Sequence, residues 1–155
     1  MTADQWKEQE SGNGCYLCQP RLSAHTGLLL IAHLSASALY LESNQRFRGL
    51  SSLILNEHVT RLDAIPEDEY TAYMQDLRRS VVALRETLNP DHMNIALLGN
   101  SCPHLHWSIV PRYRGDSHWG RPVWDAATLQ EMRVNPVTLT GAEYTDMIKN
   151  IRKHL

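Results

Sequence analysis

The 155-residue sequence has no apolar run long enough to cross a membrane and no signature of a secreted protein. Its longest apolar stretch covers residues 28–32, whereas a membrane-spanning helix needs about 20 residues. The first ten residues contain three acidic side chains and no apolar run, unlike a secretory signal. We therefore expect a cytoplasmic protein with no membrane partner.

An excess of charge of either sign is also absent. Fifteen Lys and Arg residues nearly balance seventeen Asp and Glu residues, which gives a net charge of −2. This balance gives no reason to expect bulk electrostatic binding of nucleic acid. The 43% hydrophobic and 21% charged content is typical of a globular chain. We predict one domain over residues 13–155, preceded by a flexible polar lead over residues 1–12.

The apolar pattern predicts strands, then a long helix, then further strands. Apolar residues recur at steps of three and four over residues 67–88, which indicates an amphipathic helix. Thr140 and Glu143 have the spacing of a capping box, so a C-terminal helix should begin there. The predicted strands cover residues 28–34, 38–41, 50–55, 93–98 and 104–112. Because strands and helices occur in blocks, we predict an α+β fold with an antiparallel sheet.

The last predicted strand carries the residues with the clearest chemistry. Side chains alternate between the two faces of a strand, so His104, His106 and Ser108 should share one face. Leu105, Trp107 and Ile109 should pack on the other face. Taken alone, this alternation also fits a surface strand whose polar residues only provide solubility.

Two of the three cysteines lie close together, at Cys15 and Cys18. They are too close to act as a useful disulfide staple, and the two-residue gap is the spacing at which two thiolates share a tetrahedral metal ion. The alternative is a redox dithiol, but no thioredoxin-like βαβ pattern accompanies the pair.

Taken together, these motifs resemble the histidine-triad (HIT) family of nucleotide hydrolases and transferases. The resemblance covers roughly residues 15–124. Its landmarks are Cys15-x-x-Cys18, NQRFRG at 44–49, NEHV at 56–59, the acidic-capped helix, NIALLGN at 94–100, HLHW at 104–107, PRYRGD at 111–116, Trp119 and PVW at 122–124. It implies a HIT-like fold of about five antiparallel strands, with one long central helix and a C-terminal helix.

The resemblance also implies a reaction. The family pattern is His-x-His-x-His, and its middle histidine, which is His106 here, attacks the α-phosphate of a nucleotide. The covalent nucleotidyl-histidine would then be hydrolysed to release a nucleoside monophosphate. The third histidine is replaced by Ser108, whose hydroxyl cannot serve as a general acid at neutral pH. The alternatives are therefore a nucleotidyl transferase using the same intermediate, or a nucleotide-binding protein without catalysis.

The family's zinc-binding members supply a ligand set that is complete in this sequence. The resemblance implies a structural zinc ion held by Cys15, Cys18, His58 and His104. Otherwise the two histidines are ordinary polar residues and the thiols are simply buried. Cys102 is not part of the set, and we expect it to pack in a turn.

The resemblance also suggests residues that contact the nucleotide. Asn44 follows the second strand, where the family grips the ribose, and Asn100 precedes the catalytic strand, within reach of a phosphate oxygen. Arg112 shares the face of His106 by parity and could balance phosphate charge. A homodimer is expected. The remaining histidines fit no motif: His25, His33, His92, His118 and His154.

Overall fold

The computed structural model describes residues 2–18 and 27–155, so His25 lies outside the described residues. The described helices are α1 (Ala3–Glu10), α2 (Glu67–Leu88), α3 (Ala126–Val134) and α4 (Gly141–Arg152). The described strands are β1 (Leu28–His33), β2 (Ser37–Glu42), β3 (Ser51–Leu55), β4 (His92–Ala96) and β5 (His106–Arg112).

The five strands form one antiparallel sheet in the order β1-β2-β3-β5-β4. This architecture confirms the predicted α+β class. The register places Tyr40, Ser52, Ser108 and Ala96 in one row across four neighbouring strands. Since residues paired across strands point to the same face, this row lies on the face that also carries His106.

Helix α2 covers the opposite face of the sheet, and its bounds agree with the prediction from apolar periodicity. Its buried side chains, including Tyr73, Leu77 and Leu84, pack against apolar strand residues such as Leu53 and Ile109. Three acidic residues occupy its first turn, where they complement the positive helix end. None of the helices in the described ranges is both long and apolar enough to traverse a bilayer.

Helices α1 and α3 are not predicted from the sequence. Helix α1 has no buried residue, and it lies within the segment that we predicted to be a flexible lead. It is nevertheless capped, because Thr2 and Gln5 form a capping box. The C-terminal helix is predicted correctly, since Thr140 and Glu143 cap α4 in the same way. The limits of the domain stay a prediction.

Strand β5 begins at His106, two residues later than the sequence predicts. The preceding Leu105 has one backbone bond to β3 and one outside the sheet, because its N–H donates to the carbonyl of Val59, at 2.8 Å. Its carbonyl accepts from the N–H of Leu55, at 3.1 Å. The chain therefore bends at this point, and His104 faces a different set of neighbours from His106.

A buried carboxylate fixes the turn between β1 and β2 to helix α2. Asp76 on α2 is 1% exposed and accepts bonds from the N–H of Ser35, at 3.2 Å, and of Ala36, at 2.8 Å. The hydroxyl of Ser37 donates a third bond, at 2.8 Å. These groups would be left without a partner in a dry interior if the carboxylate were removed.

We predict that Asp76→Ala lowers the free energy of unfolding by about 3 kcal/mol, because it leaves several buried donors without an acceptor. Chemical denaturation followed by circular dichroism measures this change. Glu86→Ala, an exposed position on the same helix, serves as the control and should change stability by less than about 0.5 kcal/mol. A loss of equal size in both variants would contradict the role of Asp76.

Candidate active site and metal centre

The imidazole of His106 is held in one orientation by the backbone. Its Nδ1 atom lies 2.8 Å from the carbonyl oxygen of His104. A carbonyl oxygen can only accept, so Nδ1 carries the proton and donates it. The lone pair of a neutral ring is then on Nε2. His106 is half-buried at the start of β5, and it presents a nitrogen that can act as a nucleophile.

Ser108, the next residue on this face, lies beside a polar pair that the sequence analysis did not identify. It pairs across the ladder with Ser52, which is 5% exposed and donates its hydroxyl proton to a carboxylate oxygen of Glu42. Burial raises the pKa of Glu42 above its usual range. In the sequence, Glu42 lies two positions after Tyr40, so the alternation of a strand places both side chains on the same face. Glu42 was not identified because the other residues of this strand are mostly apolar.

The polar atoms of Asn44 are all bonded within the fold. Its amide nitrogen donates to the carbonyl of Met132, at 3.0 Å, and its oxygen accepts from the N–H groups of Arg46 and Val137, both at 3.1 Å. These bonds attach the turn after β2 to α3 and to the segment that follows it. The side chain therefore has a structural role that accounts for its polar atoms.

Arg112 is remote from His106, at the opposite end of β5. The two residues are six positions apart, which in an extended strand is roughly 20 Å. The guanidinium is 2% exposed, pairs with Asp116 at 3.0 Å and donates to Asn94 at 2.9 Å.

Asn100, by contrast, is exposed in the segment between β4 and β5. Of the three predicted nucleotide contacts, Asn100 alone lies in the segment leading into His106.

The structure brings the four predicted metal ligands together. The ligand atoms of Cys15, Cys18, His58 and His104 all lie within 4.8 Å of one another. Cys18 Sγ lies 3.1 Å from Nδ1 of His58 and 3.4 Å from Nδ1 of His104. Bond lengths of about 2.3 Å to sulfur and 2.0–2.1 Å to nitrogen imply tetrahedral edges of roughly 3.3–3.8 Å. The observed separations are close to that size.

Backbone carbonyls orient both histidines of this cluster. Nε2 of His104 lies 2.8 Å from the carbonyl oxygen of Leu55, and Nε2 of His58 lies 3.2 Å from that of Glu10. Both Nε2 atoms must donate, so each ring directs the lone pair of Nδ1 at the cluster. Burial also lowers the pKa of His104 to about 4, which keeps the ring neutral, as a metal ligand requires.

The two thiols complete the fit to a cation. Burial, together with the neighbouring thiol of Cys15, raises the pKa of Cys18 to about 12. Cys18 therefore needs a positive charge beside it to exist as a thiolate, the form that binds metal. Cys102 is adjacent, with its sulfur 3.6 Å from that of Cys15, but it is not a member of the cluster. The Cys2His2 cluster could bind a metal ion.

Comparison with known proteins agrees with these features. The HIT domain model matches residues 29–115, more than half of the chain. The chain belongs to the HIT domain family. Membership in the HIT family points to nucleotide binding, or to hydrolysis or transfer of nucleotides.

One curated relative and two solved structures illustrate the similarity of this chain to HIT proteins. An uncharacterized HIT-like protein of Methanocaldococcus jannaschii is 30% identical over 82 residues, which span 50% of this chain and 63% of that relative. The structure of a histidine triad protein of Bradyrhizobium japonicum is 26% identical with a TM-score of 0.73, over 86% of this chain and 93% of that one. A Zn-bound histidine triad family protein of Mycobacterium smegmatis is 22% identical with a TM-score of 0.59, over 91% and 92% of the two chains.

We predict that the purified HIT domain contains about one divalent metal ion per chain and that Cys18→Ser removes it. An ion present at 1,000 times its dissociation constant stabilises the fold by about 4 kcal/mol, so the variant should also unfold more easily. Elemental analysis and thermal unfolding measure the two effects. Cys102→Ser is the matched control and should retain the metal, because its sulfur lies outside the cluster. Equal metal content in Cys18→Ser and the unchanged protein would rule out the site.

Proposed function

We propose that the chain is a nucleotide hydrolase that acts through a covalent nucleotidyl-histidine on His106 and releases a nucleoside monophosphate. The observation that carries this proposal is the bond between Nδ1 of His106 and the carbonyl of His104, at 2.8 Å. It leaves Nε2 as the nucleophilic nitrogen at the start of β5. A histidine that only packed in the fold would not need this tautomer.

The proposed reaction has two steps. Nε2 of His106 attacks the α-phosphorus, the bond from phosphorus to the leaving group breaks, and the leaving group departs with the electron pair. A water molecule then attacks the same phosphorus and loses a proton to the medium. The N–P bond breaks, and its electron pair returns to Nε2. The products are the free imidazole and a nucleoside monophosphate.

Other residues on the same face would hold the nucleotide. Asn100 is proposed to contact a phosphate oxygen, since it is exposed in the segment leading into His106. Glu42 is proposed to accept bonds from the ribose hydroxyls, because it lies on the His106 face and has a hydroxyl donor, Ser52, beside it. Asn44 and Arg112 stay predictions as nucleotide contacts; each would have to exchange bonds that it makes within the fold.

Zinc is the metal that we propose for the Cys2His2 cluster. Two thiolates and two imidazoles are a ligand set that zinc favours, and four protein ligands leave no position open for substrate. The ion would therefore be structural and would fix His104. The zinc-bound relative from Mycobacterium smegmatis supports the choice of metal. A reducing, cytoplasmic location is proposed with it, since the thiols must remain unoxidised.

Ser108, in place of the third histidine, favours two functions other than hydrolysis. Without an imidazole at this position the enzyme has no evident acid for the leaving group, so the intermediate could instead serve a transferase. The second alternative is a nucleotide-binding protein that has lost catalysis. A transferase would give a new nucleotide when an acceptor such as inorganic phosphate is added. A binding protein would hold AMP without cleaving any ester or anhydride.

We predict that His106→Asn lowers kcat by about 10³-fold or more on any AMP ester that the unchanged protein cleaves, while AMP still binds. The amide cannot form the covalent intermediate. Mass spectrometry after rapid quenching should detect a nucleotidyl adduct on the unchanged protein and none on the variant. Turnover above a tenth of the original rate would exclude the covalent mechanism.

We predict that Ser108→His raises activity most on substrates with basic leaving groups. A correctly placed acid contributes about 10²–10⁴-fold when the leaving group must be protonated, and much less when it leaves as a stable anion. The measurement is the ratio of kcat/KM for an adenosine phosphoramidate to that for a dinucleoside polyphosphate, in both proteins. An unchanged ratio would show that Ser108 does not occupy the position of the acid.

A homodimer is proposed as well. Strand β4 is an edge of the described sheet, and its Ile95 side chain is 39% exposed. An edge strand with an exposed apolar residue can pair with the same strand of a second copy. The mass of the protein in solution, measured by light scattering, tests this proposal.

A further inference from the structure

A cavity of about 300 Å³ adjoins the proposed nucleophile. Its size is at the lower limit for a site that binds a small molecule. His106 forms part of its wall, and most of the remaining wall is apolar. The lining residues include Trp6, Glu10, Arg61, Leu62, Leu98 and His106. Any group that enters this cavity therefore lies next to the side chain of His106.

One wall of the cavity is supplied by helix α1, through Trp6 and Glu10. The carbonyl of Glu10 accepts the N–H of His58, at 3.2 Å, which attaches the end of the helix to the metal centre. Trp6 is half-buried, although α1 contributes no residue to the core. A large indole held at the mouth of a cavity offers a flat apolar surface to a ligand.

The charges of the lining disfavour a phosphate chain. Arg61 carries positive charge, but its Nε donates to Asp63 at 3.1 Å, and the two side chains form an ion pair. Glu10 adds a negative charge. The cavity therefore has no unpaired cation among the lining residues, and its carboxylate would repel the anionic chain of a dinucleoside polyphosphate.

We propose that this cavity binds the leaving group of the substrate, and that Trp6 and Glu10 select a flat, uncharged apolar group against a polyphosphate. The proposal rests on the nucleotidyl-histidine mechanism above. The substrate class is then a nucleoside monophosphate esterified to an aromatic alcohol. Trp6 and Glu10 determine specificity and take no part in bond making.

This substrate class is compatible with Ser108. When Nε2 of His106 attacks, the bond from phosphorus to the aryl oxygen breaks and the electron pair stays on that oxygen. The departing phenolate is stabilised by its ring and needs no proton in the transition state, so a hydroxyl in place of an imidazole is sufficient. Ser108 fits any leaving group that departs as a stable anion, and the cavity lining favours the aromatic one among these.

The test compares two AMP esters whose alcohols have similar acidity and different shape: the 2-naphthyl ester and the hexafluoroisopropyl ester. Trp6→Ala should lower kcat/KM about tenfold for the naphthyl ester and less than twofold for the other. Trp6→Phe should restore most of the loss, because it also offers a flat apolar face. An equal fall for both esters would overturn the role of Trp6.

The charge is tested with Glu10→Gln and its neighbour Glu8→Gln, an exposed position on α1 outside the cavity lining. Glu10→Gln should raise the ratio of kcat/KM for diadenosine tetraphosphate to that for the naphthyl ester about threefold or more at low salt. Glu8→Gln should leave this ratio unchanged. A preference of the unchanged protein for diadenosine tetraphosphate over the naphthyl ester would overturn the proposal.

Binding to His106→Asn separates this proposal from the proposed mechanism. The variant should hold both esters uncleaved, and calorimetry should give a dissociation constant about tenfold lower for the naphthyl ester. Adding Trp6→Ala should abolish that difference. If the unchanged protein cleaves nothing but the binding preference persists, the mechanism fails and the subsite stands. If turnover depends on His106 but the two esters bind equally, the subsite fails and the mechanism stands.

Discussion

The structure depends on the placement of His104, which serves two sites at once. Its ring directs Nδ1 at the thiols of Cys15 and Cys18, while its backbone carbonyl accepts the Nδ1 proton of His106. The side chain and the main chain of one residue therefore connect the candidate metal centre to His106. Since the ring is 1% exposed and bonded to Leu55, a shift of His104 would disturb both sites.

Such a connection needs a rigid frame. The sheet supplies it on one side, because β5 lies between two paired strands and α2 packs across the opposite face. Asp76 fixes the β1–β2 turn to that helix through three bonds. The segment before β5 is held by the backbone bonds of Leu105 to Val59 and Leu55, and it contributes His104 to the cluster.

The elements that were predicted from sequence are those whose signal is local. The period of α2, the capping box of Thr140 and the alternation around His106 can be read from neighbouring residues. The ligand set depended on the family resemblance, because His58 is 40 residues from Cys18 in sequence. Glu42 and Trp6 could not be identified, since their importance lies in contacts with distant segments. Asn44 shows the reverse case: a turn residue with a suitable side chain whose bonds serve the fold.

Helix α1 connects the Cys2His2 cluster to the cavity proposed to bind the leaving group. Its last residue accepts a hydrogen bond from His58, and this bond holds the ring so that Nδ1 faces the thiols. The metal centre would therefore position both the nucleophile, through the carbonyl of His104, and the wall that contains Trp6, through the carbonyl of Glu10. An ion that never contacts substrate would then influence both the rate of attack on phosphorus and the choice of leaving group. Such an ion would be structural in its coordination and, under the proposed mechanism, coupled to catalysis in its effect.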